Sequence, residues 1–177
     1  MKAEDCLKKA YRSIYENDFE QAIQWFEHAL VLEPDNADIH YRCSITCARS
    51  GRLEKALAHA RLASALVPVQ EEYKLHFDRL QSMELTLMAK RLLEGESAGS
   101  AVDAGLSCEP AVRLLERAVR LDPLSVDAQV WLAIAYTELK QYDRALSAVQ
   151  EASVLPQDVG IAKQLQELEQ RIRKHLK

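Results

Sequence analysis

Gly95-Glu96-Ser97-Ala98-Gly99 spells G-x-S-x-G, the pattern of a nucleophile elbow whose serine attacks an acyl carbonyl. That chemistry needs a strand before the serine and a helix directly after it. Here the preceding AKRLLE consists of helix formers without β-branching, and the following SAVDAGLSCEP holds a further glycine and then a proline. The Ser–acid–His order of such enzymes also requires a later histidine, and His175, close to the C-terminus, is the one present. The chain is short for an α/β-hydrolase and has nothing like its Gly-rich oxyanion loop. These neighbours favour a loop over a catalytic Ser97, and a hydrolase stands only as the rival reading.

A second arrangement has the spacing of metal ligands. His40, Cys43 and Cys47 fall at i, i+3 and i+7 on one face of a helix, with Cys6 as an imaginable fourth ligand. Zinc needs four such groups converging as a tetrahedron. Reduced cysteine also behaves as a small hydrophobe, and these are positions where packing wants an apolar side chain. Core packing is the expectation, with no metal and no cofactor.

The chain as a whole bounds the partners. It has 177 residues, 48% apolar and 28% charged, the balance of one folded domain. A net charge of −4 and a pI near 5.8 argue against a nucleic-acid binder. No uncharged apolar run approaches the ~18 residues of a membrane span, so no membrane insertion is expected. The start MKAEDCLKKAYRS has no apolar segment of a secretory signal, which predicts a cytoplasmic protein with four reduced thiols.

The elements that position these residues follow a rhythm. Pro34 and Pro68 stand 34 residues apart, as do Ala22 and Ala56, Phe26 and Ala60, and Ala29 and Ala63. Residues 29–41, 63–75 and 118–130 each run from alanine through proline into a new helical pattern. This resembles the tetratricopeptide repeat (TPR), a 34-residue helix–turn–helix unit with W-x2-L-G-x2-Y, then A-x3-F, then P. The first unit, about 3–36, carries Ala10, Ala22, Phe26, Ala29 and Pro34. The second, 37–70, places His40, Cys43, Ser44 and Cys47 at the W, L, G and Y positions, followed by Gly51, Ala56, Ala60, Ala63 and Pro68. The fourth, 126–159, has Leu132, Ala133, Tyr136, Tyr142, Ala145, Val149 and Ala152, with Pro156 one position early.

The third unit, 71–125, departs from the pattern. Ala111, Leu115, Ala118 and Pro123 fit its second helix, but Pro68 and Pro123 are 55 apart, one repeat plus 21 residues. The apolar pattern predicts a first helix lengthened to about 71–94, then a Gly/Ser-rich loop, with the insertion lying around 86–107. A final amphipathic helix, about 159–176, has Ile161, Leu165, Leu168, Ile172 and Leu176 on one stripe and charges opposite. It reads as the polar-faced cap that repeat stacks need. Asp18 and Gln21 look like a capping box, and Gly51 like a left-handed helix stop. The expected fold is all-α: one TPR domain over 1–177, a right-handed superhelix of antiparallel helix pairs.

The resemblance also implies a site. First helices of TPR units line a concave groove, which here maps to Tyr11, Tyr15, Tyr41, Arg42, Ile45, Arg49, His76, Arg79, Trp131 and Ile134. Tyr, Trp and Arg carry binding energy at interfaces, so a non-enzymatic adaptor holding a peptide or partner helix is the expected function. Family members that grip a C-terminal carboxylate use Lys, Asn and Arg where this chain has Leu7, Tyr11, Arg42, Glu72 and His76, so that clamp is not carried over. Further readings stay open: a TPR chaperone of the secretion type for a client protein; a structural homo-oligomer built through the long helix; and a groove covered by the C-terminal helix, the long third-unit helix or the inserted loop, or used for homodimerisation through the same face.

Overall fold

In a computed structural model describing residues 2–95 and 104–176, the chain is helical and, among the described residues, has no strand. The helices are α1 (Ala3–Tyr15), α2 (Phe19–Leu32), α3 (Ala37–Arg49), α4 (Leu53–Leu66), α5 (Glu71–Leu93), α6 (Ala104–Leu121), α7 (Val126–Glu138), α8 (Tyr142–Val154) and α9 (Val159–His175). They fall into two compact units, Met1–Leu80 and Gln81–Lys177, with the division inside α5.

Small residues let the helices of each pair approach closely. Ala22 and Ala29 of α2, Ala56 and Ala63 of α4, Ala111 and Ala118 of α6, and Ala145 and Ala152 of α8 are all wholly buried. Each couple is seven residues apart, so it makes one smooth stripe along its helix, and a larger side chain there would push the neighbour outward. Around these seams the first unit buries Ile23, Phe26, Ile39 and Leu57 together with Cys6, Cys43 and Cys47. The second buries Leu115, Leu132, Tyr136, Val149, Leu165, Leu168 and Ile172.

Within a pair, the turns share one backbone device. Asn17 (φ 60°), Gly51 (φ 76°) and Lys140 (φ 58°) each follow a first helix in the left-handed conformation. The next residue's N–H then reaches back five residues: Asp18 to the Ser13 carbonyl at 2.8 Å, Arg52 to Cys47 at 2.9 Å and Gln141 to Tyr136 at 2.9 Å. This is the Schellman closure of a helix C-terminus. Gly51 plays the part expected of it. Asp18 is half of what was expected: its carboxylate accepts the Gln21 N–H at 3.0 Å, but there is no reciprocal capping box. The Asp18 N–H is already committed to Ser13, so the Gln21 side chain turns to Gln24 instead.

The lengthened helix is present. α5 has 23 residues where α1, α3 and α7 have 13 each. It stops at Gly95, whose φ of 76° makes the first letter of GESAG another left-handed helix end. One expectation needs correcting. Gly105 and Pro110 were read as barring a helix, yet α6 begins at Ala104 and contains both. Pro110 withdraws one helical N–H, and the burial of Ala111, Val112 and Leu115 just beyond it outweighs that loss.

Candidate functional site: the face of the first helices

The catalytic and metal readings meet different ends. Ser97 lies outside the described residues. His40, Cys43 and Cys47 are buried in the core of the first unit. His40 Nε2 lies 2.9 Å from the Pro34 carbonyl oxygen, which can only accept, so Nε2 carries the proton. Its Nδ1 then accepts from His59 Nδ1–H, at 2.9 Å. Both ring nitrogens of His40 are thereby committed. Among the described residues, no group of three or more His, Cys, Asp or Glu is placed to hold a metal.

One Ser–His pair in the structure resembles the opening of a triad. Ser44 Oγ is 2.8 Å from His76 Nε2. Ser44, however, is fully buried and donates its only proton to the Ala56 carbonyl at 2.7 Å. His76 must therefore donate to Ser44, the wrong direction for a general base. The pair ties α3 to α4 and α5. Burial and the nearby Arg79 hold the His76 imidazole below its usual pKa, which favours this neutral donor form.

Of the ten residues mapped to the groove, eight lie in the first unit. Tyr11 is 42% and Tyr15 89% exposed, on the same side of α1. Tyr11 meets the buried Phe26 edge-on at 5.9 Å, and the Arg42 guanidinium lies 5.7 Å from its ring. Arg42 is in turn anchored by Asp38, one turn earlier, at 2.6 Å. Tyr41 donates to Glu72 across to α5 at 2.8 Å and packs against Tyr73 at 4.8 Å and His76 at 5.3 Å. Burial, then the Glu72 carboxylate, pushes the Tyr41 phenol up to about 12, so it remains a donor. The result is a band of Tyr11, Arg42, Tyr41, Tyr73 and His76 across α1, α3 and α5. Ile45 is half-buried beside it, while Arg49 and Arg79 are exposed.

The remaining two residues belong to the second unit. Trp131 and Ile134 of α7 are half-buried and line an open cleft of about 530 Å³ with Glu138, and with Gln164, Glu167, Leu168 and Arg171 of α9. The Lys90 ammonium lies 5.4 Å from the Trp131 ring. The terminal helix thus packs Leu165, Leu168 and Ile172 into the core and uses its flank as one wall of this cleft.

Register on a helix names a candidate face but not its internal wiring. Tyr73 and Asp38 were missed as members of the band. The available signal was spacing: Tyr73 precedes His76 by three residues and Asp38 precedes Arg42 by four, the separations that bring side chains together.

Antiparallel helix pairs with alanine seams, left-handed stops and turns carrying proline define an all-α helical-repeat protein. Two models of the tetratricopeptide repeat match residues 13–75 and 98–158, and the chain belongs to that family. Among solved structures it is similar to MamA 41-end from Desulfovibrio magneticus RS-1, at 16% identity over 98% of this chain and 90% of that one, with a TM-score of 0.56. It also resembles YrrB, described as a TPR protein with an unusual peptide-binding site: 17% identity, 93% and 74% coverage, TM-score 0.54. A crystal structure of MamA protein gives 17% identity over 98% and 87%, with a TM-score of 0.51. At such identities these likenesses show the fold. No curated relative matches the chain in sequence. Among the described residues, no helix is long and apolar enough to cross a membrane.

Proposed function

We propose that this TPR protein is a non-enzymatic interaction adaptor that holds a peptide or partner helix on the face of its first helices. The observation that carries the reading is the band Tyr11–Arg42–Tyr41–Tyr73–His76. Its rings and guanidinium are held by Phe26, Asp38 and Glu72, while Tyr11 and Tyr15 stay open to solvent. Side chains fixed in place before binding lose little entropy when a partner arrives. In the second unit, Trp131 and Ile134 offer a cleft of about 530 Å³, the volume of an anchor pocket. YrrB, a TPR protein with an unusual peptide-binding site, is consistent with a peptide ligand for this chain.

Capture from the native cell, followed by identification of the partner, tests the proposal. Tyr41→Ala and Trp131→Ala each weaken capture at least tenfold, the cost of losing an aromatic anchor, while helicity by circular dichroism is unchanged. Normal capture by both variants would sink the assignment of this face. A chaperone for an exported client is the same surface put to a narrower use, and a client among the captured proteins would mark it. A second reading, self-association through α5, is favoured by the exposure of Met83, Leu87 and Met88. Residence in the cytoplasm belongs to the same proposal, in keeping with four buried cysteines that form no disulfide.

A further inference from the structure

The arginines on the first helices of the Met1–Leu80 unit divide into those with a carboxylate and those without. Arg12 is paired with Glu16 at 3.0 Å and Arg42 with Asp38 at 2.6 Å, each one helical turn away. Arg49 of α3 and Arg79 of α5 are exposed, and among the described residues neither guanidinium has a carboxylate partner or a hydrogen bond. Their own helices offer none, because no Asp or Glu stands three or four residues from either.

The packing of α3 on α5 brings these two cations together. Tyr41 meets Glu72 and Tyr73, and Ser44, three residues on, meets His76, so the two helices run in the same direction and in step. Carried forward by a turn, this register sets Ala48 opposite Arg79, with Arg49 beside it. Arg49 shares a stripe with Arg42 and Ile45, and Arg79 shares one with Glu72 and Leu75. Tyr15 extends the stripe of Tyr11, whose ring meets Arg42, by one turn toward the same level. The Arg79 charge also reaches His76, where it adds to burial in holding that imidazole below its usual pKa. Helices packed about 8–10 Å apart put two such long side chains within reach of one bound segment.

The protein's own carboxylates leave this end of the face positive. Glu16 and Glu20, which follow Tyr15 in the chain, are held by Arg12 and Arg52. Glu72 accepts from Tyr41 and stands seven residues, roughly 10 Å, back along α5. Asp78 is half-buried and turned about 100° around the helix from Arg79. What remains is a pair of uncompensated guanidiniums beside exposed Tyr15 and Leu75. A guanidinium presents a fork of donors that matches the two oxygens of a carboxylate. Two cations on a chain of net charge −4 are too few to follow a nucleic-acid backbone.

We propose that Arg49 and Arg79 hold aspartate or glutamate side chains of an acidic partner segment, while Tyr15 and Leu75 take its apolar side chains. This rests on the reading of the first-helix face given above and names the class of ligand that face selects. The carboxylates are internal side chains. The positions that grip a chain's C-terminal carboxylate in other TPR proteins hold Leu7, Tyr11, Arg42, Glu72 and His76 here, and Arg49 and Arg79 lie outside that set.

The test titrates the full chain into a rhodamine-labelled peptide, blocked at both ends, in which glutamates flank one phenylalanine, and follows anisotropy. Saturable binding that weakens with added salt is expected, and the glutamine analogue binds at least tenfold more weakly. Arg49→Glu and Arg79→Glu each lower the affinity at least tenfold with helicity unchanged. The double variant is expected to prefer the lysine analogue. Absent binding, equal binding of the glutamate and glutamine peptides, or ordinary affinity in the double variant would overturn the proposal. A single-stranded oligonucleotide that binds as tightly as the glutamate peptide would overturn it too. Tyr41→Ala separates this from the reading beneath it. Binding that ignores both arginines but is lost in Tyr41→Ala removes the acidic ligand and leaves the face; binding that ignores all three removes the face as well.

Discussion

Individual residues here are constrained mostly by which hydrogen bonds are already taken. Ser44 and His76 lie close enough for catalysis, yet the Ala56 carbonyl takes the serine's proton. His40 has the type of a metal ligand, yet Pro34 and His59 occupy both of its nitrogens. Residue type and spacing flag such groups; only the neighbours show whether a lone pair is free. Backbone conformation yields a sharper expectation. Lys140 sits at φ 58° in the turn where the second repeat has Gly51 at φ 76°. Left-handed backbone costs a residue with a Cβ about 1–2 kcal/mol, part of which glycine gives back as unfolded-chain entropy. Lys140→Gly is therefore expected to stabilise the protein by about 0.5–1 kcal/mol in denaturant melts, with an unchanged m-value. A loss of stability would mean that the lysine side chain matters there more than its backbone.

At the scale of elements, much was readable from the chain because the signals are local. Prolines 34, 68 and 123 and the alanine couples mark turns and seams, since proline ends a ladder and alanine permits close packing. The start of α6 was not readable in this way. Gly105 and Pro110 are local helix breakers, and the compensation lies in the burial of Ala111, Val112 and Leu115 against other helices. The division of the chain inside α5 was likewise invisible, because it depends on which core each half of that helix joins. α5 also carries the strongest competing idea, with Met83 at 51%, Leu87 at 43% and Met88 at 47% exposure. The adaptor reading leaves this surface unpaired in the isolated chain. Light scattering is then expected to give the monomer mass of 20.0 kDa at every concentration. A mass that climbs with concentration, and returns to the monomer value in Leu87→Lys, would move the function to self-association.

For the molecule as a whole, the family follows from the repeated pattern, and the partner does not, because repeat scaffolds serve many functions. The side of each first helix on which the proposed partner face lies could be read from register. The band that stiffens it was not, because Tyr41, Tyr73 and Glu72 come together only through the pairing of α3 with α5. The central claim is that the face of the first helices, and not the second helices, meets the partner. A photo-crosslinking amino acid placed at Tyr15 in the native cell tests this most directly. The comparison is the same residue at Val31 of α2, since the two positions are 89% and 79% exposed and differ chiefly in face. The account predicts a discrete adduct from position 15 and none from position 31; no adduct at 15, or the same adduct from both, would contradict it.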